Sequence, residues 1–150
     1  MNPDSPYQVG DNIKDVFVMP YAPENSYNLG ADWTFAEFGS NALSLILNYR
    51  WEDRTYLSAP AGKAIPGRDL YSRDSFGLLD ARVSWNIDFK NDAHGRADIY
   101  MNNVLDDEWE AHAIAFGNPI PVAGQPAGYT NSAIIWSERP IYGVNFVYEF

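Results

Sequence analysis

Apolar and polar side chains alternate along several long stretches of this chain. Over residues 27–36 one face carries Tyr27, Leu29, Ala31, Trp33 and Phe35, and the other Asn28, Gly30, Asp32, Thr34 and Ala36. Over 43–52, Leu43, Leu45, Leu47, Tyr49 and Trp51 oppose Ser44, Ile46, Asn48, Arg50 and Glu52. Over 78–87, Leu79, Ala81, Val83, Trp85 and Ile87 oppose Leu78, Asp80, Arg82, Ser84 and Asn86. Residues 97–102 set Ala97, Ile99 and Met101 against Asp98, Tyr100 and Asn102. The last stretch sets Tyr142, Val144, Phe146, Tyr148 and Phe150 against Gly143, Asn145, Val147 and Glu149. The apolar face carries no charge, whereas the other carries Asp32, Arg50, Glu52, Asp80, Arg82, Asp98 and Glu149. A period of two this sustained predicts antiparallel strands with one apolar and one polar face.

The prolines outline the connections. Pro3, Pro6, Pro20 and Pro23 precede the first strand, Pro60 and Pro66 follow the second, and Pro119, Pro121, Pro126 and Pro140 precede the last. Proline removes a ladder donor, so the proline-free segments read as strands and the proline-rich ones as loops. Gly39-Ser40-Asn41 predicts a tight turn and residues 88–95 another short one, while 1–24, 59–74 and 106–138 predict long loops. Short turns at one end and long loops at the other suit an up-and-down meander. The expected fold is all-β, an antiparallel meander of about five to six strands. No internal repeat or second domain interrupts residues 1–150.

Composition removes several function classes. The 150 residues hold 20 Asp+Glu against 10 Lys+Arg, a net charge of −10, which disfavours a nucleic-acid partner. With no cysteine, disulfide scaffolds and thiolate metal sites are excluded. No apolar run approaches the ~18 residues of a membrane helix. No basic start leads into an apolar stretch, so the pattern of a signal peptide is not seen. An aromatic content of 15% with a mean hydropathy of −0.34 argues against disorder and for β-structure.

Alternation alone also fits a soluble sandwich; the placement of the aromatics separates the two. If neighbouring strands are antiparallel, Tyr27, Tyr49, Trp51 and Tyr142 lie near the long-loop end, and Trp33, Phe35, Trp85, Tyr148 and Phe150 near the short-turn end. Between them lie Leu29, Ala31, Leu45, Leu47, Ala81, Val83, Ile99 and Val144. Two aromatic girdles around an aliphatic belt are expected of an outer-membrane barrel facing lipid. From Tyr27 to Phe35 the strand spans ~26 Å, or ~20 Å of height at a tilt near 40°. Five strands cannot close such a barrel, and open edges in lipid cost several kcal/mol per unpaired group. The chain is therefore expected to form one end of a larger barrel.

Asn103-Val104-Leu105-Asp106-Asp107-Glu108-Trp109 resembles the Asn-Leu-Phe-Asp-x-x-Tyr segment near the end of TonB-dependent outer-membrane receptors. Glu138-Arg139-Pro140-Ile141-Tyr142-Gly143-Val144 resembles their Pro-Arg-x-Tyr-Gly lead into the last strand, with Arg and Pro exchanged. Tyr148-Glu149-Phe150 resembles their aromatic-x-Phe terminus. Ala22-Pro23-Glu24-Asn25-Ser26-Tyr27-Asn28-Leu29-Gly30 resembles their Pro-x-His-Ser-x-Asn-Leu segment, and Gly77-Leu78-Leu79-Asp80-Ala81-Arg82-Val83-Ser84 their antepenultimate strand. The likeness covers roughly residues 20–150, and Trp109 stands where Tyr is usual. It implies the C-terminal part of a 22-stranded barrel in the outer membrane of a Gram-negative bacterium. The function implied is energy-coupled uptake of a scarce nutrient, a ferric siderophore foremost. Implied partners are outer-membrane lipid, the rest of the barrel and its plug, the TonB complex through the missing N-terminal part, and the barrel-assembly machinery. Tyr142, Val144, Phe146, Tyr148 and Phe150 would form the terminal signature that machinery reads.

Candidate chemistry is sparse. The acidic run Asp106-Asp107-Glu108 with Glu110 lacks the alternating Asp and the Gly of an EF-hand loop, and reads as loop solvation. His94 and His112, the two histidines, have no ligand-like partner at close spacing. No nucleophile-elbow motif is present. No enzyme activity, metal or cofactor is therefore expected. Trp109, Phe116, Tyr129 and Trp136, read as loop aromatics, are candidates for facing a substrate; packing of loop on loop is the competing reading. Arg50, Arg82, Asp80 and Asp32 are expected on the barrel interior, paired with one another or with the plug. Two alternatives remain open: a soluble all-β carbohydrate-binding module, and a structural subunit that completes a barrel with another chain.

Overall fold

The computed structural model describes residues 10–12, 19–57, 68–89, 93–118, 128–137 and 139–150. Among them are strands β1 (Ser26–Phe38), β2 (Asn41–Glu52), β3 (Thr55–Tyr56), β4 (Ser72–Arg73), β5 (Phe76–Asp88), β6 (His94–Asn102), β7 (Glu110–Asn118), β8 (Gly128–Trp136) and β9 (Ile141–Glu149). A 3-10 helix spans Arg68–Tyr71. The chain divides into two compact units, one of residues 25–53, 75–109 and 137–150, the other of residues 1–24, 54–74 and 110–136. Pro3, Pro6, Pro60, Pro66, Pro119, Pro121, Pro126, Glu138 and the tip of the 88–95 turn lie outside the described residues.

The first unit is one antiparallel sheet in the order β1-β2-β5-β6-β9. All five strands fall where the alternation places them, and each neighbour in the sheet is antiparallel. Phe38 pairs with Asn41, so Gly39-Ser40 is a two-residue hairpin loop. Gly39 has φ of +64°, the positive value a type II′ turn asks of its first central residue. Asn41 Oδ1 accepts the Asp88 N–H at 2.7 Å, which ties this turn to the end of β5.

One departure from simple alternation lies in β1. The register shifts between Thr34 and Ala36, so Phe35 is the extra residue of a bulge. Beyond it the faces exchange. Ala36, expected on the polar face, pairs with Leu43 of the apolar face, and Glu37 pairs with Ala42.

The second unit holds structure where the sequence predicts long loops. Residues 110–118 and 128–136 form an antiparallel hairpin, and β3 pairs with β4. In β7, His112, Ile114 and Phe116 are exposed and Ala113 is buried. Alanine on the covered face hides the alternation, because it counts as neither charged nor large. The 3-10 helix lies against β7 and β8, and Leu57 is fully buried. Asp69 gathers the polar contacts: Arg54 Nη2 and Tyr56 Oη each donate to its Oδ1 at 3.2 Å. Arg54 Nη2 also donates to Ser72 Oγ at 2.8 Å.

Candidate functional site

The sheet is inverted relative to a soluble domain. Its apolar face is open: Trp33 is 62% exposed, Ile99 66%, Val144 79% and Tyr142 80%. Tyr27, Leu29, Trp85, Phe146, Tyr148 and Phe150 are exposed with them. Among the described residues of this unit, the buried apolar side chains are Phe76 and Ala93, and the buried polar ones are Ser84, Asp98 and Asn103. The polar face is thus the better covered of the two. Burying one large apolar side chain is worth about 1.5–3 kcal/mol, so this face is a strong drive towards an apolar medium.

The polar face satisfies itself. Ser84 Oγ donates to Asp98 Oδ1 at 2.7 Å, Arg96 Nε donates to the same oxygen at 2.8 Å, and Arg96 Nη2 reaches Ser84 Oγ at 3.1 Å. Of the charged residues expected to pair with one another here, Arg50 lies 3.7 Å from Glu52 and over the Phe76 ring. Arg82 sits over the Tyr100 ring. Asp80 Oδ1 accepts the Asn103 N–H at 2.9 Å. Their partners are therefore neighbours on the sheet, and Asp32 and Arg82 are separated in their register row by Ile46.

Register turns the aromatic residues into two bands. Tyr27 pairs with Trp51; four residues along β1, Ala31 is in register through Leu47, Ala81 and Met101 with Tyr142. At the other end Trp33 is in register through Leu45, Val83 and Ile99 with Val144, four residues before Tyr148. Trp85, two strands from β1, lies two residues beyond Val83. From β1 to β9 both bands therefore move four residues in the same direction, an average of one residue per strand. Four residues at ~3.3 Å over four strand spacings at ~4.8 Å is an inclination of ~35°. That matches the ~35–45° by which strands of outer-membrane barrels tilt, so both bands would run level around such a barrel. Tyr27 stacks on Trp51 at 5.3 Å, and Phe89, Tyr148 and Phe150 form a contiguous ring cluster in the second band. Tyr142, Val144, Phe146, Tyr148 and Phe150 line one exposed face of the terminal segment.

The segment Asn103–Trp109 is a built turn. Asn103 takes φ of +53° and Asp106 φ of +52°, a region Asn and Asp tolerate better than most residues. The Asn103 side chain donates to the Asp107 carbonyl at 2.9 Å and accepts the Asp107 N–H at 3.1 Å. Asp107 Oδ2 accepts the Gly77 N–H at 2.9 Å. Val104 N–H continues the ladder to the Leu79 carbonyl, and Glu108 pairs with Arg139. Two members of the acidic run thus have fixed partners, where solvation was expected. The sequence signal was the return of Asn103 and Asp107 at a spacing that closes a side-chain turn.

Of the four candidate aromatics, Trp109 belongs to the sheet unit and Phe116, Tyr129 and Trp136 to the other. Trp109 stacks on Phe76 at 4.8 Å in the sheet unit, a packing role. Phe116 and Trp136 are exposed strand residues of the hairpin rather than loop residues. Tyr129 lies in β8 opposite Gly117, and its side chain is outside the described residues. His94 Nδ1 lies 2.7 Å from Asp88 Oδ1; His112 stacks on Tyr21 and bonds its hydroxyl. Among the described residues no group of three or more His, Cys, Asp or Glu could hold a metal ion. Comparison with protein families, with curated proteins and with solved structures gives no match to this chain.

Proposed function

We propose that this chain is a sector of an outer-membrane β-barrel, with the apolar face of the β1-β2-β5-β6-β9 sheet against lipid and the polar face towards the lumen. The observation that carries the reading is the open apolar face bounded by two aromatic bands, each inclined to the strands by the tilt a barrel needs. A sugar-binding module would gather its aromatics at one cleft, whereas these are spread in two rows across the sheet. The test is tryptophan depth in vesicles whose lipids carry bromine at defined positions. Trp33 and Trp85, each as the sole tryptophan, should be quenched most by bromine near the headgroups. A tryptophan placed at Leu47, midway along β2 between the two bands, should be quenched most by bromine near the chain ends. Emission as in water, unaffected by bromine at any depth, sinks the reading.

The barrel we propose is that of a TonB-dependent receptor for a scarce nutrient, a ferric siderophore foremost. Support comes from the likeness of the Asn103–Trp109 and Arg139–Val144 segments and the terminal Tyr148-Glu149-Phe150 to that family. Cells that lack the gene should lose accumulation of a radiolabelled ferric siderophore, and loss of TonB should have the same effect. Undiminished uptake of every siderophore offered, in iron-starved cells, counts against it.

A further inference from the structure

Tyr21, in the second unit, takes φ of +54°. A bulky residue holds this left-handed conformation only where its surroundings impose it. Two contacts impose it here. The Tyr21 N–H donates to the Tyr56 carbonyl at 2.8 Å. The Tyr21 ring lies parallel to the His112 ring to within 4°, and its hydroxyl bonds His112 Nδ1. Tyr21 is nonetheless exposed. Its hydroxyl proton thus has an acceptor already in place, and the oxygen keeps a lone pair that this bond does not use.

The same pair stands at the end of an open apolar strip. From His112 to Phe116 the register of β7 with β8 is regular. His112, Ile114 and Phe116 therefore share one face with Ile135 and Ala133. Ile114, Phe116 and Ile135 are each exposed by half or more, whereas Ala113 on the other face is buried. From His112 to Phe116 the strip runs four residues, roughly 13 Å at ~3.3 Å each. Tyrosine oxygen is a known axial ligand of ferric iron in a macrocycle. The ligand count decides between forms of iron. Among the described residues no group of three or more His, Cys, Asp or Glu could hold a metal ion, so a bare ion finds no cage. A chelate that fills all six positions of the iron leaves none for Tyr21. A macrocycle that fills four in a plane leaves an axial position open, and it has an apolar face to lay on Ile114, Phe116 and Ile135.

We propose that Tyr21, backed by His112, is an axial ligand site for a ferric porphyrin lying on the exposed face of the β7–β8 hairpin. On binding, the Tyr21 Oη–H bond breaks and the proton passes to His112 Nδ1. The phenolate oxygen bonds the iron and displaces an axial water. Iron remains ferric throughout. The site belongs to the second unit alone, and it stands whether or not the sheet meets lipid.

The full chain in detergent, titrated with ferric protoporphyrin IX, tests the site. Iron-free protoporphyrin IX controls for adsorption to apolar surface, and resonance Raman reads whether a phenolate is bound to iron. Wild type should show phenolate vibrations and should bind the ferric form much more tightly than the iron-free one. Tyr21→Phe keeps the ring and its stack. It should bind the iron-free form as wild type does, lose the phenolate vibrations, and lose its preference for the ferric form. His112→Ala should keep the vibrations but weaken ferric binding roughly 10–100-fold, as loss of an outer-shell partner does. Its affinity should also rise with pH, because the phenol proton then leaves to water. Undiminished ferric binding by Tyr21→Phe overturns the proposal, as does a wild-type complex without phenolate vibrations. Equal affinity of wild type for the two porphyrins overturns it too, since the hairpin would then be an unselective apolar surface.

Discussion

At the scale of single residues, facing decides cost. Leu47 and Asn48 are neighbours on β2 and lie on opposite faces of the sheet. Leu47 is in register with Ala31 and Ala81, midway along β2 between the two bands. On the lipid-facing reading, Leu47→Arg should destabilise the assembled barrel by about 2–4 kcal/mol, and Asn48→Arg should be mild. Urea titration of the assembled protein in vesicles measures both, and equal tolerance would reverse the facing. Asn103 is a different case. Its side chain closes the turn onto Asp107, and its backbone holds a positive φ. Asn103→Ala should lower stability by about 2–4 kcal/mol, from lost hydrogen bonds and left-handed strain together. Asn103→Gly should recover only the strain, leaving a midpoint between wild type and Asn103→Ala. Identical midpoints for the two variants would show that backbone conformation plays no part.

At the scale of elements, hydropathy carries far for strands whose two faces meet unlike media. The five strands of the sheet were legible because Leu, Val, Trp and Tyr alternate with Asn, Asp, Ser and Arg over up to thirteen residues. The bulge at Phe35 was not, because inserting one residue into a ladder leaves no mark on the list of side chains until the partner strand is known. The β7–β8 hairpin was hidden by the small Ala113 on its covered face, and by prolines between its strands that made the whole region read as loop. For the site, the two bands were visible as strand ends rich in aromatics, but their average slip of one residue per strand needed the register. The partners of Asp80 and Asp107 are backbone N–H groups of Asn103 and Gly77, and hydropathy does not encode them. One prediction belongs to β9. Phe150 follows the strand and is fully exposed beside Tyr148. Deleting it should reduce the amount of folded protein in outer membranes while leaving the melting temperature of assembled barrels nearly unchanged. Unchanged yield with a lowered melting temperature would make Phe150 an anchor rather than an assembly signal.

At the scale of the whole molecule, the apolar surface and the two open edges set solution behaviour. A chain with one apolar sheet face exposed and two unprotected edges should associate in water. Expressed alone, it should aggregate in plain buffer and disperse only with detergent, despite a net charge of −10. Analytical ultracentrifugation with and without detergent decides it, and a monodisperse, cooperatively melting monomer in buffer would favour a water-soluble domain. Placing the sheet in lipid removes the exposed face but not the edges, so insertion and completion by other strands should be coupled steps.

The close fit of rings over glycines has a consequence for how strands find their places. A cβ at Gly77 would come within 2.6 Å of the Tyr49 hydroxyl, and one at Gly143 within 2.6 Å of the Tyr100 hydroxyl. A strand that slides by one residue turns its apolar side to the wrong medium and is rejected at once. A strand that slides by two keeps both faces correct, and its burial against either medium is unchanged. Steric matching notices, because Tyr49 would then meet a side chain where it now finds a gap. Ring and gap act as a key and its ward, testing position along the strand where hydropathy tests only which side is out.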